Sequence, residues 1–354
     1  MSQEPAAAAP ATVIQPLRDV VVVERFGRGS SNLGRVSVAF AGLLAAEFGA
    51  TVIRAVGATD DAAARRWKPL TADGHSALYR FLTAGKQTED DTFPAPPDAL
   101  LLTDDDETFA RWPTGARVIV TPAFGIGSDR PQSELTIMAS AGLLDIMGER
   151  GRPPLPLAGH AIAYAAGLAG FDALLASHLA RLLQGAAQPG EVSCLDVATW
   201  LNWKLCLDSV NGPREAGMNR REEWTIQPCR DGFVAAIFLD NDIPQLATLT
   251  RSERLRHADF SNGPRRREHL EELLAIVSSA LVGRTRDDII AESERLRLPF
   301  APVLSPREVI DDPQMVHRRF FVADEQGVRP STPVVWNGIR LRSAGDVVPV
   351  TEVA

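Results

Sequence analysis
The sequence predicts an α/β protein, with a Rossmann-like large domain followed by a small α+β domain. Three observations carry this reading. Asp19–Glu24 and Thr51–Arg54 are short runs rich in β-branched residues, and they flank a Gly-bearing turn and a helical stretch. That order is the βαβ unit of a parallel sheet. Two further apolar runs, Asp98–Thr103 and Arg117–Thr121, supply more strands. Later, Arg230-Asp231-Gly232 sits between alternating apolar residues, a hairpin signal, and charge-rich helical segments follow it.

Taken in order, residues 1–15 are Ala/Pro-rich, with no basic n-region and no apolar core, and are expected to form a disordered leader. The large domain is expected over 16–205. Val36–Phe48 has helical spacing with Val38, Leu43, Leu44 and Phe48 facing inward, and Gly49-Ala50 closes it. The turn before it, Gly27-Arg28-Gly29, lacks the third glycine of a dinucleotide fingerprint and reads as a tight turn. Arg65, Arg66 and Lys86 follow strand ends, where open α/β sheets bind ligands, although exposed cations are more often plain surface. An acidic segment, Asp104–Glu107, separates the third and fourth strands. Ser133 is placed to cap a helix over Glu134–Leu144, with Glu134 complementing its dipole.

The stretch Met147–Trp203 organises the chain: a proline-rich loop, an Ala/Gly-rich helix to Leu183, a Gly/Pro break at Gln184–Gly190, and a strand over Glu191–Val197. Helices built from Ala and Gly let another helix or subunit approach closely. A linker is expected over 206–221, polar and Gly/Pro-bearing from Asn211 to Arg221. The small domain, 222–315, holds the hairpin Trp224–Phe238 and helices over Pro244–Leu249, Arg265–Val282 and Thr285–Leu296. An extended run Pro299–Leu304 and a helix opening at Ser305-Pro306 complete it. The last segment, 316–354, has strand character over Val334–Val350.

Composition bounds the function. The chain has 354 residues, 45% hydrophobic and 23% charged, which fits a globular protein of two domains. A net charge of -8 argues against nucleic acid as a partner, since phosphate backbones need a basic face. Cys194, Cys206 and Cys229 lie far apart with no CxxC pair, which reads as reduced, buried thiols and not a disulfide frame or metal site. No window approaches the roughly 18 apolar residues of a membrane span, so no membrane is expected and the expected location is the cytoplasm.

Together these segments resemble the class III CoA-transferases, a family that includes carnitine and bile-acid CoA-transferases and α-methylacyl-CoA racemases. The resemblance runs from about Pro16 to Phe321. It rests on Leu43–Arg54, on Phe81–Lys86, on Met147-Gly148-Glu149 with Pro153-Pro154 and Ala165-Ala166-Gly167, and on Thr285–Asp288 through Pro299–Val303 and Asp311–Arg319. It implies an interlocked dimer whose large domain receives both chain ends. It implies no permanently bound cofactor, with coenzyme A entering as an acyl-CoA substrate and a carboxylic acid as the acceptor. A carboxylate at the start of the central helix would store the acyl group covalently; in the racemase branch an acid–base pair that includes a histidine moves a proton instead.

One departure matters. Aligned on Ala165-Ala166-Gly167, the position of the family's catalytic acid is Ala163. Glu134 is a candidate replacement carboxylate, against its role as a helix-dipole glutamate. His160 is a candidate acid or base, against a structural hydrogen-bonding role. Tyr164 is a candidate donor to a thioester oxygen, against packing. The racemase His-Asp pair is replaced by Ser133-Glu134, and the adenine- and phosphate-binding segment by the acidic run Thr103–Glu107. Arg54, Lys86 and Arg65 remain as CoA-binding candidates, with Arg66 beside them. Two readings follow: a CoA-transferase with an altered catalytic group, acting as a homodimer, or a non-catalytic subunit in a hetero-oligomer with an active homologue.

Overall fold
The computed structural model describes residues 15–27, 30–55, 64–88, 97–103, 116–121, 124–125, 128, 130–148, 152–211, 225–324, 327–336, 338–340 and 348–349. The chain divides into two compact units, Met1–Met218 with Gln314–Ala354, and Asn219–Pro313.

The first unit is built on β1 (Val21–Arg25), β2 (Thr51–Arg54), β3 (Gln87–Thr88), β4 (Ala99–Leu102), β5 (Ala116–Thr121) and β6 (Gly190–Ser193). All pairs are parallel, in the order β3-β2-β1-β4-β5-β6. Val22 and Val23 of β1 and the leucines of β4 are buried, as expected of strands covered on both faces. Helix α1 (Asn32–Glu47) begins four residues earlier than its apolar spacing indicated. The reason is Ser31, in extended conformation, whose hydroxyl accepts from Gly34 N and starts the helix there. Helix α2 (Ala77–Thr83) is capped in the same way by Ser76.

The central helix is the fourth in sequence. Helix α3 (Glu134–Ser140) is shorter than the expected Glu134–Leu144, because Gly142 takes a positive φ of 73° and turns the chain. Helix α4 (Ala161–Gln184) then crosses α1, and Gly185 in the left-handed region ends it. The contact requires Gly167: a Cβ there would lie 2.6 Å from the Ser37 carbonyl oxygen and 3.0 Å from Phe40 Cβ. At its other end Arg181 donates to Asp98 Oδ1 at 2.7 Å, while Asp98 Oδ2 accepts from Val21 N at 2.9 Å, so α4 is tied to the sheet.

By length and composition α4 is apolar enough to cross a membrane, which corrects the expectation that no window approaches that length. Its Ala and Leu content raises the hydropathy, yet Ile162, Ala163, Ala166, Gly167, Gly170, Phe171 and Leu174 are buried inside this unit. The strand expected over Glu191–Val197 stops at Ser193. There the Ser193 hydroxyl accepts from Asp196 N and begins α5 (Cys194–Leu201). Next, α6 (Trp203–Asn211) occupies the first part of the expected linker 206–221; residues 212–221 lie outside the described residues. Cys194 and Cys229 are buried, whereas Cys206 on α6 is only partly covered, a correction to the expectation of three buried thiols. Near the chain's end, β10 (Phe321–Asp324) pairs with β11 (Gly327–Pro330), and Arg329 reaches Glu47 of α1 at 3.7 Å.

In the second unit the hairpin forms as the Asp-Gly turn indicated, β7 (Thr225–Cys229) against β8 (Gly232–Ala236), with β9 (Ala301–Pro302) on its other side. Helices α7 (Ile243–Thr250), α8 (Gly263–Glu268), α9 (Leu270–Leu281), α10 (Arg286–Arg295) and α11 (Pro306–Asp311) complete it. Val234, Phe238, Leu246, Phe260, Leu273, Val277 and Ile289 form its core. The single helix expected over Arg265–Val282 is two, joined at His269, which ends α8 and precedes α9. Thr285 caps α10, and Ser305 with Glu308 forms a capping box on α11. Arg286 donates to Glu308 Oε1 at 2.5 Å and to the Val303 carbonyl at 3.0 Å, which joins the start of α10 to the start of α11.

Two outcomes are expected. Gly167→Ala should destabilise the protein by about 1–3 kcal/mol, because the new methyl meets backbone that cannot yield; urea unfolding measures this. The hydrogen bond from Arg286 holds the Glu308 carboxyl down to about 2. Its stabilising contribution is therefore present above pH 4.5, the usual glutamate value, and is lost as pH falls from there towards 2. The thermal midpoints of wild type and Glu308→Gln should converge across that window.

Candidate active site at the start of the central helix
The first turn of any helix leaves backbone N–H groups without intrahelical partners. At α4 the residue before the helix, His160, makes no capping bond with its side chain. Glu134 does the work from another helix. Its Oε1 accepts from Ile162 N at 2.7 Å and lies 3.4 Å from Ala163 N. Its Oε2 lies 3.3 Å from His160 Nδ1. Glu134 can reach because it is the first residue of α3, whose start is fixed by a capping box between Ser133 and Thr136. The two residues that the sequence nominated separately, Glu134 and His160, are thus one pair.

The surroundings are mixed in polarity. Glu134 is 18% exposed and His160 35%. The Tyr164 ring meets the His160 ring edge-on, with centroids 6.2 Å apart, and packs 4.9 Å from Phe40. Burial, and then the nearby Glu134 carboxylate, push the Tyr164 hydroxyl above its ordinary value, so it remains a hydrogen-bond donor at neutral pH. Ala163 is 0% exposed and its methyl belongs to the core. A cavity of about 180 Å³ opens beside the pair, lined among the described residues by Asn32, Val36, Trp67, Lys68 and His160.

The expected CoA-binding cations are distributed differently. Arg54 and Lys86 are buried on Glu24 of β1, in the interior of the unit. Lys86 donates to the Glu24 carboxylate and, at 2.6 Å, to the Ala39 carbonyl; Arg54 Nε lies 3.8 Å from Glu24 Oε2 and Arg54 Nη1 donates to the Tyr79 hydroxyl at 3.1 Å. A buried carboxylate requires such partners. Burial pushes Lys86 down to about 8, opposed by the Glu24 charge. Burial likewise raises Glu24. Gly42 of α1 is what leaves room, since a Cβ there would lie 1.8 Å from Glu24 Oε1. Arg65 is exposed and lies over the Tyr79 ring at 5.1 Å; Arg66 is exposed beside it.

Sequence reasoning passed over Glu24, Trp67, Lys68 and Asn32. A charge directly after the β-branched run Val20–Val23, still within the strand, was the available signal for Glu24; nothing local marks the other three. The acidic run Asp104–Glu107 and the Arg28-Gly29 turn lie outside the described residues. Thr103, just before that run, accepts from Gly27 N at 2.6 Å and so ties the β1–α1 turn to the end of β4. Among the described residues no group of His, Cys, Asp and Glu is arranged to hold a metal ion.

The sequence pattern of CoA-transferase family III matches residues 117–349, and the chain belongs to that family. An acyl-CoA transferase of Fusarium pseudograminearum is 29% identical over 191 residues, 52% of this chain and 42% of that protein. The chain therefore spans less than half the length of that relative. Among solved structures, a CAIB/BAIF family protein from Brucella suis superposes with a TM-score of 0.78 at 19% identity, over 94% of this chain and 95% of that one. Rv3272 from M. tuberculosis gives 0.73 at 19% identity, over 95% and 97%. At such identities the likeness is one of fold.

Restoring an acid at the expected position should not help. Ala163→Asp places a carboxylate in the core beside Glu134, and is expected to cost about 3 kcal/mol. Thermal unfolding should show the loss, and acyl-CoA exchange should not rise.

Proposed function
We propose that this chain transfers CoA between an acyl-CoA and a carboxylic acid, with Glu134 as the carboxylate that stands in for the acid absent at Ala163. Family membership supplies the reaction class. The observation that carries the assignment of Glu134 is its seat: Oε1 lies on the N–H groups of Ile162 and Ala163, at the helix start where the family presents its nucleophile.

In this reading a Glu134 oxygen attacks the thioester carbonyl carbon, the C–S bond breaks, and CoA leaves as a thiolate, giving a mixed anhydride. The thiolate then attacks the Glu134 carbonyl, and the donor acid departs as a carboxylate, leaving a glutamyl-CoA thioester. The acceptor carboxylate attacks the thioester carbonyl of Glu134, the C–S bond breaks and a second mixed anhydride forms; the released thiolate then attacks the acceptor's carbonyl carbon, and Glu134 departs as a carboxylate. Dividing the transfer this way replaces one hard step by easier ones. His160 orients the carboxylate through Nδ1, and the protonated Tyr164 hydroxyl is available to a developing oxyanion.

The exposed Arg65 and Arg66 are the cations proposed for the CoA phosphates, while Arg54 and Lys86 serve the interior. Coenzyme A is a substrate in this scheme and no resident cofactor takes part. The strand order β3-β2-β1-β4-β5-β6 supports the Rossmann-like description of the first unit. An interlocked dimer is supported by the apolar side chains that α5 and α6 leave exposed in the single chain, Trp200, Leu201, Trp203, Leu207 and Val210. The proposed location is the cytoplasm.

A second reading has its own support. Both Glu134 oxygens are occupied, one as a helix cap and one on His160, which is also what a purely structural glutamate would do. The chain would then be the non-catalytic partner of an aspartate-bearing homologue. Glu134→Gln separates the two, because the amide oxygen can still accept from Ile162 N. Acyl-CoA exchange should fall about a thousandfold or more with little change in Tm, and wild type should carry a hydroxylamine-sensitive adduct on Glu134 by mass spectrometry. A wild-type chain that is inert alone and supports exchange only with such a homologue would replace the first reading by the second.

A further inference from the structure
Glu134 acts from the first residue of α3, a helix of only seven residues. At about 1.5 Å per residue its ends lie about 10 Å apart, so a tilt of about 6° moves the first residue by about 1 Å. A misplacement of that size is enough to cost a reaction about a hundredfold. The seat of Glu134 therefore depends on what fixes the far end of α3. Asn202, the residue between α5 and α6, meets that end. Its Nδ2 donates at 3.2 Å to the carbonyl of Ala141, the residue that closes α3. Asn202 is 6% exposed, and its own backbone is held on both sides. Its N–H donates to the Thr199 carbonyl at 3.0 Å, and its carbonyl accepts from Cys206 N at 3.1 Å. Gly142 closes against the same amide, since a Cβ there would lie 3.1 Å from Asn202 Nδ2.

Stability alone does not account for an amide here. Among the described residues the buried Asn202 Oδ1 accepts no hydrogen bond, and an unmet buried acceptor costs stability. What the amide supplies is direction. Helix α3 packs on α5, with Ile137, Met138 and Ala198 in one buried cluster. Apolar contact is non-directional and lets a short helix slide, whereas a hydrogen bond to its last carbonyl fixes one point on its axis. We infer that Asn202 is a positioning residue for Glu134. It ties the end of α3 to the α5–α6 junction, and so holds the Glu134 carboxylate on the N–H groups of Ile162 and Ala163. The catalytic meaning of that seat rests on the proposed CoA transfer; the seat itself is measurable without it.

The N–H groups of Ile162 and Ala163 lie in the first turn of α4, where Glu134 is their acceptor in place of an intrahelical carbonyl. Their hydrogen exchange with solvent therefore reports the seat of Glu134. The test measures that exchange in the purified full chain, by deuterium uptake read at single residues, with Glu134→Ala setting the scale of complete loss. Asn202→Leu keeps the size of the side chain and removes the donor. It should lower protection of both amides at least tenfold, leave the amide of buried Leu174 in α4 unchanged, and keep Tm within about 5 °C of wild type. Gly142→Ala presses on the same amide and should do likewise, and the double variant should lose no more than the larger single effect. Acyl-CoA exchange on the same samples should show kcat lower by at least tenfold with an unchanged KM for acyl-CoA. Unchanged protection in a folded Asn202→Leu, a loss shared equally by Leu174, or an unchanged kcat would each overturn the inference. If Asn202→Leu shows no cooperative unfolding, Gly142→Ala supplies the comparison. A wild type inert in exchange, with the expected protection pattern, would remove CoA transfer and leave Asn202 as the residue that seats Glu134. An active wild type whose protection ignores Asn202 would do the reverse.

Discussion
The approach of α4 to α1 across Gly167 is the constraint on which the rest of the first unit depends. With hydrogen in place of a side chain, Gly167 lets the backbone of Ser37 come within the reach that any Cβ would block. Because α1 lies on the parallel sheet, this contact fixes α4 against the sheet as well. The Arg181–Asp98 pair then ties its far end to the same strands. This contact helps to set the position of the α4 N-terminus, where the chemistry is proposed.

Two carboxylates show how the fold uses charge. Glu24 lies in the interior and is answered by Lys86 and Arg54, at the cost of leaving no room for a side chain at Gly42. Burial dominates there and moves both partners of the closest pair towards their neutral forms. Glu134 is only partly covered. It is answered by backbone N–H groups and an imidazole, partners that leave a neighbouring cavity open. The first arrangement holds the sheet and helix together. The second is the kind of partly exposed, oriented carboxylate that a covalent mechanism needs.

Much of this architecture was legible in local patterns. The apolar runs that the sequence shows became β1, β2, β4 and β5. Asp231-Gly232 made the hairpin, and Thr285 and Ser305 started their helices where hydroxyl caps should. The misreadings have local causes too: Ser31 began α1 earlier than apolar spacing indicated, Ser193 began a helix where a strand was expected to run on to Val197, and Gly142 ended one helix sooner. The cations were harder. Arg54 and Lys86 look like ligand groups when only their neighbours in sequence are visible, since the carboxylate that claims them, Glu24, lies 62 residues from Lys86.

By itself the sequence determined the family, the βαβ order of the large unit, the hairpin of the small one, and the absence of an acid at position 163. Each of these follows from residues that act on near neighbours, or from motifs read in order. Only the tertiary structure decided that Glu134 and His160 form one pair at the start of α4, and that Lys68 and Trp67 line a pocket with His160. Those groups come from separate segments, and the contact of α4 with α1 and the sheet is what brings them together; no local pattern encodes a distance between segments that only packing can set.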